Sequence, residues 1–311
     1  MVLYSSKKQK NIAKGMFMSK PRIKLIGLLL AALLPLSACG SARPSPMPEV
    51  TADPHAGEVR VTYGSAGDKW VPLFDSLPVS TLEASGFSRE GEFVTYAGAD
   101  AVSVPGIDVS FYQKEIDWAR VADAGVKFAI IRAGYRGYSE GTLFEDSCFE
   151  ANLKGALDAG LDVGLYFFSQ AVNAAEARQE AEFVLGLLRG QKLALPIFFD
   201  WEHIDDPANG ARTDAVSGET LTACALAFGA VIENAGYTPG VYFYRNLGYF
   251  SYDLASLREL HFWFSGAGDF SDFYYAHGYW QYSYAGTVPG IEGTVDLNLR
   301  FVPKTWITAG G

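Results

Sequence analysis

The chain has 311 residues, of which 49% are hydrophobic and 19% are charged, so it has the composition of a globular protein with one large core. Seven of its 25 basic residues lie in residues 1–39, which contain no acidic residue; the remainder holds 18 basic against 35 acidic residues, a formal charge of −17. That acidity argues against nucleic acid as a partner and against adsorption to anionic lipid by charge alone, because both require a basic surface.

The first 39 residues have the pattern of a signal peptide. Basic residues at 20–24 precede an apolar run at 25–36, which at about a dozen residues is shorter than the ~20 needed to span a bilayer. Leu36-Ser37-Ala38-Cys39 resembles the bacterial lipobox, whose cysteine is lipidated. This pattern predicts a protein held outside the cytoplasm by a lipid on Cys39. An uncleaved anchor and a simple signal peptide are the alternatives.

Two short segments follow before the main domain. Residues 40–58 contain four prolines and predict a flexible tether. Residues 59–104 predict a small β-rich segment with strands at Val59–Tyr63, Trp70–Phe74 and Glu92–Tyr96. Packing against the main domain is the favoured role for this segment, and glycan binding is the alternative.

Residues 105–311 predict the main domain, because apolar runs now alternate with amphipathic helices. Eight buried strands are predicted: Ile107–Val109, Phe128–Ile131, Val163–Phe168, Pro196–Phe199, Gly240–Tyr244, Phe262–Phe264, Tyr279–Tyr282 and Val295–Leu297. The helices include one over Gly218–Asn234, where apolar residues recur at helical spacing. The order predicts an α/β fold, a TIM-like, flattened or incomplete (β/α) barrel whose last part is irregular. Cys148 and Cys224 each fall on a predicted helix and are expected to be separate thiols.

Acidic and aromatic residues recur where the predicted strands end, which is the end of a TIM-type barrel that carries active sites. Carboxyl groups can catalyse proton transfer, and aromatic faces can stack on sugar rings, so the combination indicates a carbohydrate substrate. The acidic residues are Asp108, Asp200, Glu202 and Asp296. The other strand-end residues singled out as substrate-binding are Arg132, Tyr135, Tyr166, Phe168, Tyr242, Trp280 and Gln281.

Asp200 and Glu202 form the central pair. They follow the apolar run Leu195–Phe199 and lie two residues apart, so they face the same side of a strand with Cα atoms ~6.6 Å apart. Neighbouring carboxyl groups raise each other's pKa, so one can stay protonated as a general acid while the other is ionised. Glycoside cleavage requires that division of roles.

The stretch from Gly106 to about Phe301 resembles glycoside hydrolase family 25, the Chalaropsis-type lysozymes. The matching segments are Gly106-Ile107-Asp108-Val109-Ser110, Phe128–Tyr135, Leu195–Glu202, Trp280-Gln281-Tyr282 and Val295-Asp296-Leu297-Asn298. The resemblance implies hydrolysis of the β-1,4 bond between N-acetylmuramic acid and N-acetylglucosamine in peptidoglycan, with retention. It implies Glu202 as general acid, Asp200 as the residue that stabilises the reacting sugar, and Asp108 and Asp296 as the other acids of the cleft.

Several alternatives stay open at this level. The ~6.6 Å step fits a substrate-assisted reaction, in which the sugar's own acetamido group attacks, at least as well as a direct nucleophile pair. Arg132 can brace the carboxylates instead of contacting substrate, and each aromatic residue can belong to the core. A chitinase-like hydrolase and a catalytically silent peptidoglycan-binding lipoprotein are the rival functions. We expect no metal or other cofactor, and a monomer whose partners are peptidoglycan strands and the membrane that holds its lipid.

Overall fold

Two β-hairpins precede the main sheet. The computed structural model describes residues 53–204 and 210–305, so the predicted signal peptide, Cys39 and most of the predicted tether lie outside the described residues. Strands β1 (Glu58–Thr62) and β2 (Asp68–Pro72) form one antiparallel hairpin, and β3 (Phe87–Glu90) and β4 (Phe93–Tyr96) form the other. Strand β3 was not predicted, because Ser88-Arg89-Glu90 is polar and has no apolar alternation.

The main sheet and its helices follow in chain order. The elements are β5 (Ala101–Val109), α1 (Trp118–Asp123), β6 (Phe128–Arg136), β7 (Leu143–Glu145), α2 (Phe149–Asp158), β8 (Asp162–Ser169), α3 (Ala174–Leu188), β9 (Ile197–Trp201), α4 (Gly218–Asn234), β10 (Pro239–Tyr244), α5 (Arg245–Phe250), β11 (His261–Ser265), β12 (Tyr279–Gly286) and β13 (Val295–Pro303). Each predicted barrel strand therefore has an observed counterpart. Strand β5 crosses the domain boundary predicted between residues 104 and 105.

The sheet closes into an eight-stranded barrel in the order β5-β13-β12-β11-β10-β9-β8-β6, with β6 pairing back to β5. Seven of the barrel strands (β5, β6, β8, β9, β10, β11 and β12) pair in parallel with one another, whereas β13 is antiparallel to both of its neighbours. Strand β7 adds to β6 outside the closed order. A barrel is therefore confirmed, but its sheet is closed and not incomplete as predicted. The last part is irregular, because β13 is antiparallel and the connections on both sides of β12 contain no helix.

Helix boundaries follow local capping chemistry. Helix α4 has the predicted bounds, and the Ser217 hydroxyl accepts a hydrogen bond from the Thr220 amide at its start. Asn173 caps α3 in the same way, through the Glu176 amide. Just after α2, Gly160 has a φ of +77°, a conformation that favours glycine and ends a helix.

Alternation along each strand divides its side chains between two layers. The barrel interior holds a cluster of mostly aromatic residues: Phe128, Ile130, Leu195, Phe198, Tyr242, Trp263 and Tyr279. These rings require glycine opposite them, because a Cβ on Gly106 would lie 2.3 Å from the Phe128 ring and one on Gly240 would lie 2.4 Å from Phe198. The intervening strand residues face outward and form the larger core with the helices.

The N-terminal hairpins share that outer core. Val71 of β2 and Val94 of β4 are fully buried in it, and the Phe87 ring packs edge-on against Trp280 at 5.4 Å and Phe301 at 6.1 Å. The Tyr282 hydroxyl accepts a hydrogen bond from the Val94 amide. Packing, the favoured role for this segment, is therefore what the contacts show.

Two further observations concern the whole described part of the chain. None of the helices within residues 53–204 and 210–305 has the length and apolar character needed to cross a membrane. Cys148 and Cys224 are both free thiols, as predicted, but Cys148 is the residue before α2 and is only partly buried.

Candidate active site

The four predicted acidic residues meet at one end of the barrel. Asp108 lies at the end of β5, Asp200 near the end of β9, and Glu202 one residue beyond β9. Asp296 was predicted at the end of its strand, and that placement is wrong: it is the second residue of β13. Because β13 runs antiparallel to β5, its start meets the end of β5, and Asp296 pairs directly with Asp108.

Two amides hold Asp108 and Asp296 together. Gln281 Nε2 donates to Asp108 Oδ2 at 2.8 Å and to Asp296 Oδ2 at 3.3 Å, and Asn298 Nδ2 donates to Asp108 Oδ2 at 2.7 Å. Asn298 Oδ1 accepts from Trp263 Nε1 at 2.9 Å, which fixes the orientation of its amide. Both amide side chains are almost fully buried.

The other end of the Gln281 amide is also occupied. Its Oε1 accepts hydrogen bonds from the Tyr242 hydroxyl at 3.0 Å and the Ser265 hydroxyl at 2.7 Å, and Ser265 lies 3.0 Å from the Tyr284 hydroxyl. Gln281 was predicted to bind substrate. The structure instead commits its amide to four protein groups, so Gln281 orients the carboxyl groups of the cleft.

Asp200 is buried, and its Oδ1 has no hydrogen-bond partner among the described residues. Arg132 projects from β6 into the same region, and its Nη2 is also buried and without a partner among the described residues. Burial raises the pKa of Asp200, and the charge of Arg132 opposes part of that rise. A buried carboxylate oxygen and a buried guanidinium nitrogen that lack partners are costly to leave unpaired. Groups of a bound substrate could satisfy both.

Withdrawal from water raises the pKa of all four acids, of which Asp108 and Asp200 are buried and Glu202 and Asp296 are half-buried. For Glu202 the pKa rises to about 7. The pKa of Asp108 rises to about 6, also through burial, opposed by its hydrogen bonds from Asn298 and Gln281. Burial and the nearby carboxylates raise the pKa of Asp200 and Asp296 well above the usual range. The cluster therefore retains protons near neutral pH.

Asp108 and Asp296 titrate as a pair, because each contributes to the shifted pKa of the other. Glu202, with a pKa of about 7, is protonated in weakly acidic to neutral solution. The site thus presents a proton donor beside groups that can carry negative charge, the pair of functions that glycoside cleavage needs.

An aromatic rim surrounds Arg132. Its guanidinium carbon lies 4.8 Å from the ring centre of Phe111, 5.5 Å from that of Tyr112 and 5.4 Å from that of Tyr135. Asp146 Oδ2 accepts hydrogen bonds from Arg132 Nε at 2.7 Å and from the Phe111 amide at 3.0 Å. One buried carboxylate therefore positions both the Arg132 guanidinium and the backbone of Phe111. Arg132 is therefore held by Asp146, and its Nη2 is left without a partner among the described residues.

Most of the remaining predicted residues reach the cleft. Tyr166 and Phe168 project inward from β8, and Tyr242 does so from β10, where Phe168 and Tyr242 flank Asp200 in the sheet. A shift of register after Arg132 brings Tyr135 beside Phe168, so Tyr135 faces the same side despite an odd spacing from Arg132. Its ring stacks on Phe144 with centres 5.1 Å apart.

Trp280 does not reach the cleft. It is fully buried on the outer face of β12, donates its indole N–H to the Gly266 carbonyl at 2.9 Å and packs against Phe87. The residue next to it, Gln281, faces inward, and successive strand residues face opposite sides. Assigning Trp280 to substrate binding was therefore wrong, and alternation alone would have excluded it beside Gln281.

The predicted set omitted several residues that build the site. They are Asp146, Trp263, Ser265, Tyr284 and Asn298. Asn298 was accessible from sequence, because it lies two residues after Asp296 and so shares its face. Asp146 precedes α2, outside the barrel strands, and no local pattern connects it to Arg132.

Among the described residues, no group of three or more His, Cys, Asp and Glu side chains is arranged to hold a metal ion.

Comparison with known proteins agrees with this site. A family model for glycosyl hydrolases family 25 matches residues 107–291, more than half of the chain. The matched range contains Asp108, Asp200 and Glu202 and ends before Asp296. Lysozyme M1 from Streptomyces globisporus is 28% identical over 298 residues, covering 90% of each protein.

Solved structures share the fold. The modular autolysin LytC from Streptococcus pneumoniae, solved in complex with a synthetic peptidoglycan ligand, superimposes with a TM-score of 0.58 at 21% identity, over 79% of this chain and 57% of that one. A bacterial lysozyme from Streptomyces coelicolor superimposes with a TM-score of 0.50 at 24% identity, over 63% of this chain and 90% of that one. The family match runs from β5, the first barrel strand, to the connection between β12 and β13. The chain therefore belongs to glycosyl hydrolase family 25 and is a glycoside hydrolase.

Proposed function

We propose that this protein is a lysozyme of the N-acetylmuramidase type, which hydrolyses the β-1,4 bond between N-acetylmuramic acid and N-acetylglucosamine in peptidoglycan. The observation that carries the proposal is Glu202, an acid with a pKa of about 7 beside Asp200 at the carboxyl end of the barrel. The lysozyme relative that spans 90% of the chain supports this substrate. The barrel is best described as an irregular member of the TIM-like type, with its reactive groups at the customary end.

In the proposed reaction, Glu202 donates its proton to the glycosidic oxygen as the bond to the anomeric carbon breaks. Asp200 stabilises the positive charge that develops on the sugar, and that charge in turn favours the ionised form of Asp200. We favour the substrate-assisted route, in which Asp200 holds the N–H of the acetamido group while its oxygen attacks the anomeric carbon. Glu202, now ionised, then removes a proton from a water molecule as that water attacks the anomeric carbon and opens the intermediate. The anomeric configuration is therefore retained.

The other residues divide into two groups. Asp108 and Asp296, joined by Gln281, keep the far side of the cleft negative and polar. The residues proposed to contact the glycan strand are Arg132, Tyr135, Tyr166, Phe168 and Tyr242. Their rings provide the apolar faces on which sugars stack, and the free Nη2 of Arg132 provides a donor.

The test is Glu202→Gln, which keeps the size of the side chain and removes its titratable proton. Lytic activity on purified cell walls should fall by at least about 10²-fold, the range that general acid catalysis contributes, while the circular dichroism spectrum stays unchanged. Mass analysis of the wild-type products should show fragments with muramic acid at the reducing end.

Each rival function has its own signature in that experiment. Cleavage of chitin oligomers in preference to peptidoglycan would favour a chitinase-like hydrolase. Wall binding by the wild-type protein without release of reducing sugar would mean a silent binding protein. Undiminished lysis by a folded Glu202→Gln variant would refute the assignment of the acid.

We also propose that the protein acts outside the cytoplasm as a monomer tethered by a lipid on Cys39, which lies outside the described residues. The lipobox pattern at residues 36–39 supports the lipid, and the tether pattern at 40–58 supports reach toward the wall. A Cys39→Ala variant should lose incorporation of labelled palmitate and leave the membrane fraction. Continued labelling of that variant would contradict the proposal.

A further inference from the structure

Glu202 lies one residue beyond β9, so the pairing of β9 with its neighbours, which ends at Trp201 and Asp200, does not hold its backbone. A side chain from the neighbouring strand end supplies that support. Gln170 Nε2 donates to the Glu202 carbonyl oxygen at 2.9 Å and to the Ser169 carbonyl oxygen at 2.9 Å. The backbone that carries the proposed proton donor is therefore attached to Gln170.

The Gln170 amide is held from its other end. Its Oε1 accepts a hydrogen bond from Thr213 Oγ1 at 2.8 Å, and both side chains are at most 1% exposed. Carbonyl oxygens can only accept hydrogen bonds, so the two carbonyl contacts place the NH₂ group toward Glu202 and the oxygen toward Thr213. Every heavy polar atom of this amide has a partner, and rotation of the amide would break all three contacts.

Thr213 is itself fixed by the residue before it. Arg212 forms a two-pronged ion pair with Glu176 of α3, with Nη1–Oε2 at 2.8 Å and Nη2–Oε1 at 2.7 Å, and its Nη1 also donates to the Gln170 carbonyl at 3.1 Å. The Arg212 amide donates to the Tyr138 carbonyl at 3.0 Å. The chain at 212–213 is thus anchored to α3, to the end of β8 and to the segment after β6, independently of the cleft.

We propose that Gln170, oriented by Thr213, is a positioning residue that sets the location of the Glu202 carboxyl group by holding its backbone carbonyl. Neither residue touches the reacting atoms. The proposal rests on the role of Glu202 as proton donor, and it assigns a function to Gln170 and Thr213 that the acidic cluster alone does not require. General acid catalysis depends steeply on the distance between the acid and the leaving oxygen, and a displacement of ~1 Å can cost about 10²-fold in rate.

Two variants test the proposal. Thr213→Val keeps the shape of the side chain and removes the donor to Gln170, whereas Thr213→Ser keeps the hydroxyl. We expect kcat on soluble peptidoglycan fragments to fall by about 10- to 100-fold in the valine variant, with KM within about twofold, and the serine variant to recover most of the activity. Gln170→Met, which removes the donor to Glu202 itself, should show the same pattern.

The matched control is Thr222→Val on α4, another nearly buried threonine, whose hydroxyl donates to the Gly218 carbonyl and accepts from the Asp253 amide, neither of which belongs to the cleft. It should lose thermal stability without a fall in kcat. If both valine variants fall equally in kcat, or if Thr213→Val and Gln170→Met keep wild-type kcat, the positioning role is refuted.

The pH profile separates positioning from a general loss of structure. Burial holds the pKa of Glu202 at about 7, so a backbone that lets its carboxyl group move toward water should shift the alkaline limb of kcat/KM to lower pH. A merely structural defect would lower the profile without moving it, which would count against the proposal. Glu202→Gln distinguishes the two claims: if it is inactive while Thr213→Val is normal, only the positioning role fails, and if it is active, the proton-donor assignment fails.

Discussion

Gln281→Leu tests whether the buried amide sets the charge of the cleft. In the native protein Gln281 Nε2 donates to Asp108 at 2.8 Å and more weakly to Asp296 at 3.3 Å. Leucine fills a similar volume but provides no donor. Asp108 keeps its hydrogen bond from Asn298, so the variant removes one of its two amide donors.

The size of the effect follows from that one bond. A hydrogen bond to a charged group is worth about 1.5–3 kcal/mol, and one pKa unit corresponds to 1.36 kcal/mol. Losing the donor should therefore raise the pKa of Asp108 by about one to two units from its native value of about 6. Because we expect Asp108 to act as an anion, the acidic limb of the activity profile should move upward by the same amount.

The assay is kcat/KM from pH 4 to 9 on soluble peptidoglycan fragments, measured by release of reducing sugar. Tyr282→Phe is the control, because Tyr282 is the next residue of β12 and faces the outer core, where its hydroxyl contacts the Val94 amide. It should keep the native pH profile. An unchanged acidic limb in a folded Gln281→Leu variant would refute the reasoning.

Two further predictions concern pH and stability. Because Glu202 must carry its proton to act as an acid and burial raises its pKa to about 7, wild-type kcat/KM should decline as the pH rises through about 7; full activity up to pH 9 would contradict this. Arg136 donates to buried Glu180 at 2.6 Å, and both are at most 5% exposed, so Arg136→Met should lower the free energy of unfolding by about 3–5 kcal/mol in urea titrations. The double variant Arg136→Met/Glu180→Met should recover much of that loss, because it leaves no unpaired buried charge; equal stability of the single and double variants would argue against this explanation.

The sequence predicted those features that depend on neighbours along the chain. Apolar runs between Gly and Pro located all eight barrel strands, and helical spacing predicted the bounds of α4. Asp200 and Glu202 were predicted to follow a buried strand, because a two-residue step and an apolar run are local facts. The N-terminal strand β3 was not predicted, because Ser88-Arg89-Glu90 is polar and leaves Phe87 as the single apolar residue of the strand.

The direction of the last strand was beyond local inference. A run such as Val295–Leu297 reads the same whether it pairs in parallel or antiparallel, so Asp296 was predicted at the correct edge but at the wrong end of its strand. The register shift after Arg132 has a similar origin: it depends on how β6 pairs with β8, and it turns Tyr135 toward the cleft. Both are properties of strand pairs.

What the sequence determined by itself was the chemistry available: four acids and a set of rings at one edge of the predicted barrel. The tertiary structure decided how each group is used. Gln281 bridges two carboxyl groups, Trp280 belongs to the core, and Gln170 supports Glu202. The hydrogen-bond partners of these three residues lie up to 173 positions away in the chain, so no local pattern predicts them. Alternation and capping act over a few residues and can be read locally, whereas the burial and pairing that set a pKa exist only after the barrel has closed.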